Sequence, residues 1–121
     1  MQDLHLGAAE ARFADIVWRE APLTTAALID LCARELSWKR TTTYTVLKRL
    51  CEGGLFRTEG GTVTVLLSRE DFCAARSERF VDDTFDGSLP AFIAAFTARK
   101  ALSDADIDEI EAMITQMREG K

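Results

Sequence analysis

Residues 37–54 read Ser37-Trp38-Lys39-Arg40-Thr41-Thr42-Thr43-Tyr44-Thr45-Val46-Leu47-Lys48-Arg49-Leu50-Cys51-Glu52-Gly53-Gly54. A polar turn over Ser37–Arg40 leads into a helical pattern from about Arg40 to Glu52. The glycine pair stops it, because a helix ends most cheaply on a residue that tolerates positive φ. Thr43, Val46, Leu47 and Leu50 recur at the spacing of one helix face and form its inner side. Thr42, Thr45 and Arg49 fall on the outer side, with Thr41, Tyr44 and Lys48 beside them. Threonine is a poorer helix former than Ala, Glu or Lys, so threonines at 41, 42, 43 and 45 are an odd choice for a face that meets only water. Hydroxyls bond phosphates or base edges, a threonine methyl meets the thymine methyl, and an arginine reads guanine.

Before this stretch the periodicity predicts a helix from about Gly7 to Glu20, with Phe13, Ile16 and Val17 on one face. Ala21-Pro22 ends it, since a residue before proline disfavours the helical region. A second helix begins at Thr24 or Thr25 as N-cap and runs to about Leu36, burying Leu28, Leu31 and Cys32. After it, Leu55–Thr58 and Thr62–Leu67 read as strands joined by Glu59-Gly60-Gly61, a turn that needs positive φ. Two helices, a turn, a third helix and a hairpin make a winged helix-turn-helix, whose third helix enters the major groove.

The remainder is helical. Ser68 with Asp71 opens a helix from about Arg69 to Phe85, and Asp86-Gly87 breaks it. A fifth helix spans about Leu89 to Ala98, with Pro90 tolerated in its first turn and Leu89, Phe92, Ile93 and Phe96 on its apolar face. Ser103 with Asp106 opens a sixth, about Asp104 to Arg118. There Ile107, Ile110, Ile114 and Met117 make a two-heptad stripe. Phe80, Phe92 and Phe96 add apolar surface that three short helices do not shield alone. The expected fold is mainly α with a small β-hairpin wing: an N-terminal winged helix-turn-helix over residues 1–69, then a C-terminal three-helix dimerisation region over 70–121. Those seven residues are the expected dimer contacts.

The charge pattern agrees. The 121-residue chain carries a net charge of −5. Residues 1–69 hold 9 Lys/Arg against 8 Asp/Glu, whereas 70–121 hold 6 against 12. Between 39 and 57 stand Lys39, Arg40, Lys48, Arg49 and Arg57 with one acid, Glu52. Local field, more than total charge, attracts phosphates. Lys39 and Arg40 lie at a helix start, where free amides also favour anions. Arg57 and the hairpin tip are expected to contact the flanking backbone. The expected DNA-binding set is therefore Lys39, Arg40, Thr41, Thr42, Tyr44, Thr45, Lys48, Arg49 and Arg57, and a homodimer presenting it twice fits a pseudo-palindromic double-stranded operator.

Other functional classes find little support. Hydrophobic residues at 47% and charged residues at 29% indicate an ordered globular chain. No apolar run approaches the roughly 18 residues of a membrane span, and Met1-Gln2-Asp3-Leu4 lacks the start of a signal peptide. A cytoplasmic protein without membrane insertion is expected. Cys32, Cys51 and Cys73 form no CxxC pair and read as reduced cysteines beside or within apolar faces. His5, the single histidine, falls in a segment expected to be mobile, with no nucleophile at helical spacing. Asp104, Asp106, Asp108 and Glu109 stand where a helix start attracts acids and match no calcium loop. No enzyme activity, metal or cofactor is expected.

The stretch from Ser37 to Leu50 with Gly54-Leu55, above all Thr42, Thr45, Leu47, Arg49 and Leu50, resembles the recognition-helix segment of the penicillinase-repressor family. Ala9–Trp18, with its acid, hydrophobic pair and tryptophan, resembles that family's first helix. The resemblance runs through the hairpin and, more weakly, the last three helices. It implies a homodimeric repressor of resistance or envelope-stress genes, held together by its C-terminal helices. It also implies a membrane sensor-protease system and regulatory cleavage at an Asn-Phe bond. Ala95-Phe96 stands at that position, so phenylalanine is kept and asparagine is not. The copper-responsive branch ends in paired C-x-C motifs, whereas this chain ends Met117-Arg118-Glu119-Gly120-Lys121. The alternative is a winged-helix protein-interaction adaptor without specific DNA binding, which the acidic balance would suit.

Overall fold

A computed structural model describes residues 4–120. Met1–Asp3, on which the expectation of a leaderless start partly rests, and Lys121, the end of the expected dimerisation region, lie outside the described residues. The elements are α1 (Ala8–Glu20), β1 (Leu23–Thr24), α2 (Thr25–Leu36), α3 (Arg40–Glu52), β2 (Phe56–Glu59), β3 (Thr62–Val65), α4 (Arg69–Phe85), α5 (Leu89–Arg99) and α6 (Asp104–Gly120). The chain is mainly α with a hairpin wing, as the sequence predicts. It divides between Arg76 and Ser77 into two compact units.

The first unit holds the buried core. Phe13, Ile16 and Val17 of α1 meet Leu28 and Cys32 of α2, Leu47 and Leu50 of α3, and Leu55, Phe56 and Val63 around the wing. Each helix begins or ends where the local chemistry requires. The Thr24 hydroxyl accepts from the Ala27 amide at 3.1 Å and caps α2. Ser37 adopts the left-handed region at φ 58°, and the Trp38 amide donates to the Cys32 carbonyl at 3.2 Å, closing α2 and turning the chain into α3. The Trp38 ring stacks on Phe13 at 5.6 Å between centroids, which holds that turn against α1.

The sheet has an extra strand. The order is β1-β3-β2, with Leu23 opposite Val63 and Thr24 opposite Thr62. A two-residue strand carries no readable alternation, and its pairing is set by the hairpin it meets. Gly60 and Gly61, at φ 59° and 77°, turn β2 into β3. The indole of Trp18 donates to the Leu67 carbonyl at 3.0 Å and meets Phe56 and Phe72 at 5.6 and 5.8 Å. These contacts fasten the base of the wing to α1.

The cysteines differ in setting. Cys32 is buried, and desolvation pushes its thiol pKa up, keeping it protonated. Cys51 is half-buried and Cys73 exposed. All three are free.

In the second unit Phe92 is the hub of an aromatic cluster, 6.0 Å from Phe80, 5.8 Å from Phe85 and 6.2 Å from Phe96. Ser88 caps α5 through the Ala91 amide, and Ser103 caps α6 through the Asp106 amide. Yet no described residue from Ser77 onward is buried. Phe80, Leu89, Phe96, Met113, Ile114 and Met117 are 45–71% exposed. A groove of about 350 Å³ lies between α5 and α6, floored by Phe92, Phe96, Ile110 and Met113. No described helix is long and apolar enough to cross a membrane.

Candidate nucleic-acid interface

The thirteen residues of α3 are oriented from within. Leu47 and Leu50 enter the core, and Thr43, 1% exposed, satisfies its hydroxyl by donating to the Lys39 carbonyl at 3.2 Å. This single buried threonine separates the four: one belongs to the core, and three face water. Thr41, Thr45 and Lys48 follow one another at i, i+4 and i+7 down the side opposite Thr43 and Leu50, all exposed. The Thr45 hydroxyl donates to the Thr41 carbonyl at 2.9 Å, and its oxygen keeps lone pairs that can still accept.

Two flanks frame this row. On one, the Arg40 guanidinium lies 5.8 Å from the centroid of the Tyr44 ring, a cation–π contact that fixes the arginine along the helix. On the other stand Thr42 and Arg49, both exposed. Lys39 takes the N-cap position with no side-chain hydrogen bond to the first-turn amides. The start of α3 thus presents amides beside two cations, a ready site for a phosphate. Among the described residues no ion pair engages Lys39, Arg40 or Lys48. Their charge is available to a polyanion.

Arg49 and Arg57 are placed differently. Arg57 sits on β2 and pairs with Glu59 at 3.2 Å, so the cationic wing residue shares its charge with an acid two residues on. Arg49 reaches back to the protein. Its Nη1 donates to Glu10 Oε2 at 2.7 Å and its Nη2 to the His5 carbonyl at 2.9 Å. Glu10 in turn accepts from the Gly7 amide at 3.1 Å. The structure therefore brings eight of the expected residues to open surface around α3 and the wing, and ties Arg49 into the start of α1. The segment expected to be mobile is held by this tie: His5 also meets Arg76, whose Nη2 lies 2.9 Å from His5 Nδ1. Sequence spacing gives no hint of either contact, because Glu10 and Arg49 are 39 residues apart.

Of the expected dimer contacts, Ile107, Ile114 and Met117 are exposed on α6, while Phe92 and Ile110 are half-buried where α5 meets α6. Met113, 52% exposed, joins that surface although the 107/110/114/117 stripe passed over it. Ala95 and Phe96 lie within α5, Phe96 45% exposed. Among the described residues no three His, Cys, Asp or Glu are grouped to hold a metal ion, the acidic start of α6 included.

Comparison with known proteins covers almost the entire chain. The family model described as penicillinase repressor matches residues 6–116. A penicillinase repressor of Bacillus licheniformis is 23% identical over 117 residues, spanning 93% of this chain and 91% of that relative.

Proposed function

The chain belongs to the penicillinase repressor family, whose members are transcriptional repressors, and from that premise we propose that it is a homodimer that silences genes by gripping a pseudo-palindromic operator with two copies of α3. The observation that carries this reading is the row Thr41–Thr45–Lys48, flanked by Arg40 and Lys39 around a helix start without a side-chain cap, all of it exposed and, among the described residues, with its cations outside any ion pair. Laid in a major groove, the row puts hydroxyls and methyls against base edges, with the Lys48 ammonium reaching a phosphate. The helix start and Lys39 meet one backbone, and Arg57 on the wing meets the other. Arg49 serves from behind, holding α3 in position.

The dimer reading rests on the uncovered second unit. Aromatic and aliphatic side chains 45–71% exposed over three short helices need a cover, and a second copy supplies one of matching chemistry. Residues 1–69 are the DNA-reading part in this proposal and 70–121 the pairing part. A dimer also resolves the charge pattern, since two weakly basic heads add where one is insufficient. The protein acts in the cytoplasm, on resistance or envelope-stress genes, under a membrane sensor-protease. Cleavage at Ala95-Phe96 requires α5 to unwind locally, because the bond lies within a continuous helix.

A mobility-shift titration against the protein's own promoter region tests the reading. Specific binding that weakens steeply as salt rises is expected. No affinity at low salt refutes the repressor and leaves the protein-interaction adaptor.

A further inference from the structure

The hairpin from Leu55 to Leu67 carries one cation, Arg57, and one acid, Glu59. They are bonded to each other: Arg57 Nη2 donates to Glu59 Oε2 at 3.2 Å. Residues two apart on a strand share a face, so β2 sets both on the same side of the wing. Their register partners on β3 are Thr64 and Thr62. That face therefore holds one positive charge, one negative charge and threonines, and its net charge is zero. The wing is also fastened to the two helices beside it. The Thr25 amide, at the start of α2, donates to the Gly61 carbonyl at 3.0 Å. Cys51 Sγ, in the last turn of α3, lies 3.6 Å from Thr58 Oγ1. Arg57 thus moves with α3.

The pair is suited to exchange. Its side chains are 57% and 73% exposed, and an exposed ion pair adds little to stability. A phosphate oxygen brought to contact can take the place of the carboxylate on Arg57, while Glu59 turns to water. Contact is required, because from further out Glu59 repels the phosphate that Arg57 attracts. On the operator, base contacts made by α3 select one register, and the ties to α2 and α3 then bring Arg57 to one particular phosphate. On other DNA no register is selected, and the wing approaches as a neutral body.

Resting on the DNA-binding reading above, we propose that Glu59 is a specificity-determining residue: it masks Arg57 on nonspecific DNA and yields it to a phosphate only in the operator complex. Salt dependence counts the phosphates that a protein neutralises. A masked arginine adds nothing to that count, and an unmasked one adds its share. The wing therefore contributes to the difference between operator and nonspecific binding and not equally to both. Nonspecific sites far outnumber an operator, so this difference, more than affinity alone, decides how much of the protein finds its target.

The test measures affinity of the full-length protein for its own promoter region and for an unrelated duplex of equal length across a salt series, with Glu59→Gln, Arg57→Gln and Glu70→Gln alongside. Glu70 is an exposed acid in the first turn of α4, so its variant removes the same charge away from the wing. Glu59→Gln should tighten binding to the unrelated duplex about threefold to tenfold for each wing near 0.1 M salt, and steepen that salt slope by about one for each wing. Promoter binding should gain far less, so the ratio of the two affinities falls. Arg57→Gln should flatten the promoter slope by about one for each wing and the unrelated slope less. Glu70→Gln should keep the wild-type ratio. Equal gains on both duplexes in Glu59→Gln overturn the proposal, as do no gain on either and a Glu70→Gln that matches Glu59→Gln. Equal flattening of both slopes in Arg57→Gln overturns it too, because Arg57 would then be unmasked everywhere. Absence of binding to either duplex by the wild type and every variant overturns the repressor reading itself; a promoter preference that Glu59→Gln does not erode overturns the masking alone.

Discussion

Arg49 Nη1 and Glu10 Oε2 are 2.7 Å apart, joining the last turn of the exposed threonine helix to the first turn of α1. Glu10 is 25% exposed and Arg49 45%, so the pair is screened but not free. Replacing either by Ala or Gln should cost about 0.5–1 kcal/mol of stability in denaturant titrations, with the double variant losing less than the sum. Operator affinity should follow the same pattern, Glu10→Gln reproducing part of the loss seen in Arg49→Ala. If Arg49→Ala loses the full 1–3 kcal/mol or so of a bidentate base contact in a Glu10→Gln background, Arg49 reads bases directly.

Lys48 and Lys39 are exposed and unpaired, and each should behave as a phosphate contact. Alanine at either position should weaken binding to all sequences alike and lower the slope of log Kobs against log salt by about one. A loss confined to one operator base would assign Lys48 to base reading instead.

Charge placed on α6 tests the pairing surface. Ile110→Asp with Ile114→Asp should give monomers in sedimentation equilibrium and weak operator binding. An intact dimer would show that this stripe is not the interface. Near-ultraviolet circular dichroism of Trp18 and Trp38, both in the first unit, checks that the winged helix has survived.

The Arg19–Glu35 pair, with Nη2 2.6 Å from Oε2, joins α1 to α2 and lowers the Glu35 pKa chiefly through that hydrogen bond. A carboxylate depressed in the folded state stabilises above its unfolded pKa, and the benefit disappears as pH falls through the folded value. Wild type minus Arg19→Gln should therefore be a constant stability difference at neutral pH that shrinks as the solution is acidified below the ordinary carboxylate range. A difference that grows on acidification would contradict the sign.

Much of this architecture was legible because its boundaries are chemical. Pro22, Thr24, Gly53, Gly60-Gly61, Ser68, Asp86-Gly87 and Ser103 each force or cap a turn, and every helix starts or stops close to one of them. What the pattern missed needs partners distant in sequence. Leu23–Thr24 becomes a strand only because Val63 and Thr62 lie opposite. Arg49 has a sequence position on the flank of the outer face, but its long side chain curls back to Glu10 and His5, a choice that only the folded chain can offer. His5 reads as a loose residue until Arg76, 71 positions later, arrives beside it. Met113 lies one turn from the aliphatic seam and broadens it into the groove wall.

The unburied face of α5 and α6 has a consequence for how such a regulator responds over time. If two copies must meet before either the face is dry or the operator is gripped, occupancy depends on the amount of protein per cell more steeply than in simple proportion. Growth and division, which thin the protein out, then relax silencing faster than they deplete the molecule. Melting temperature should likewise climb with protein concentration. On that condition, a modest change in synthesis or turnover becomes a sharper change in gene output.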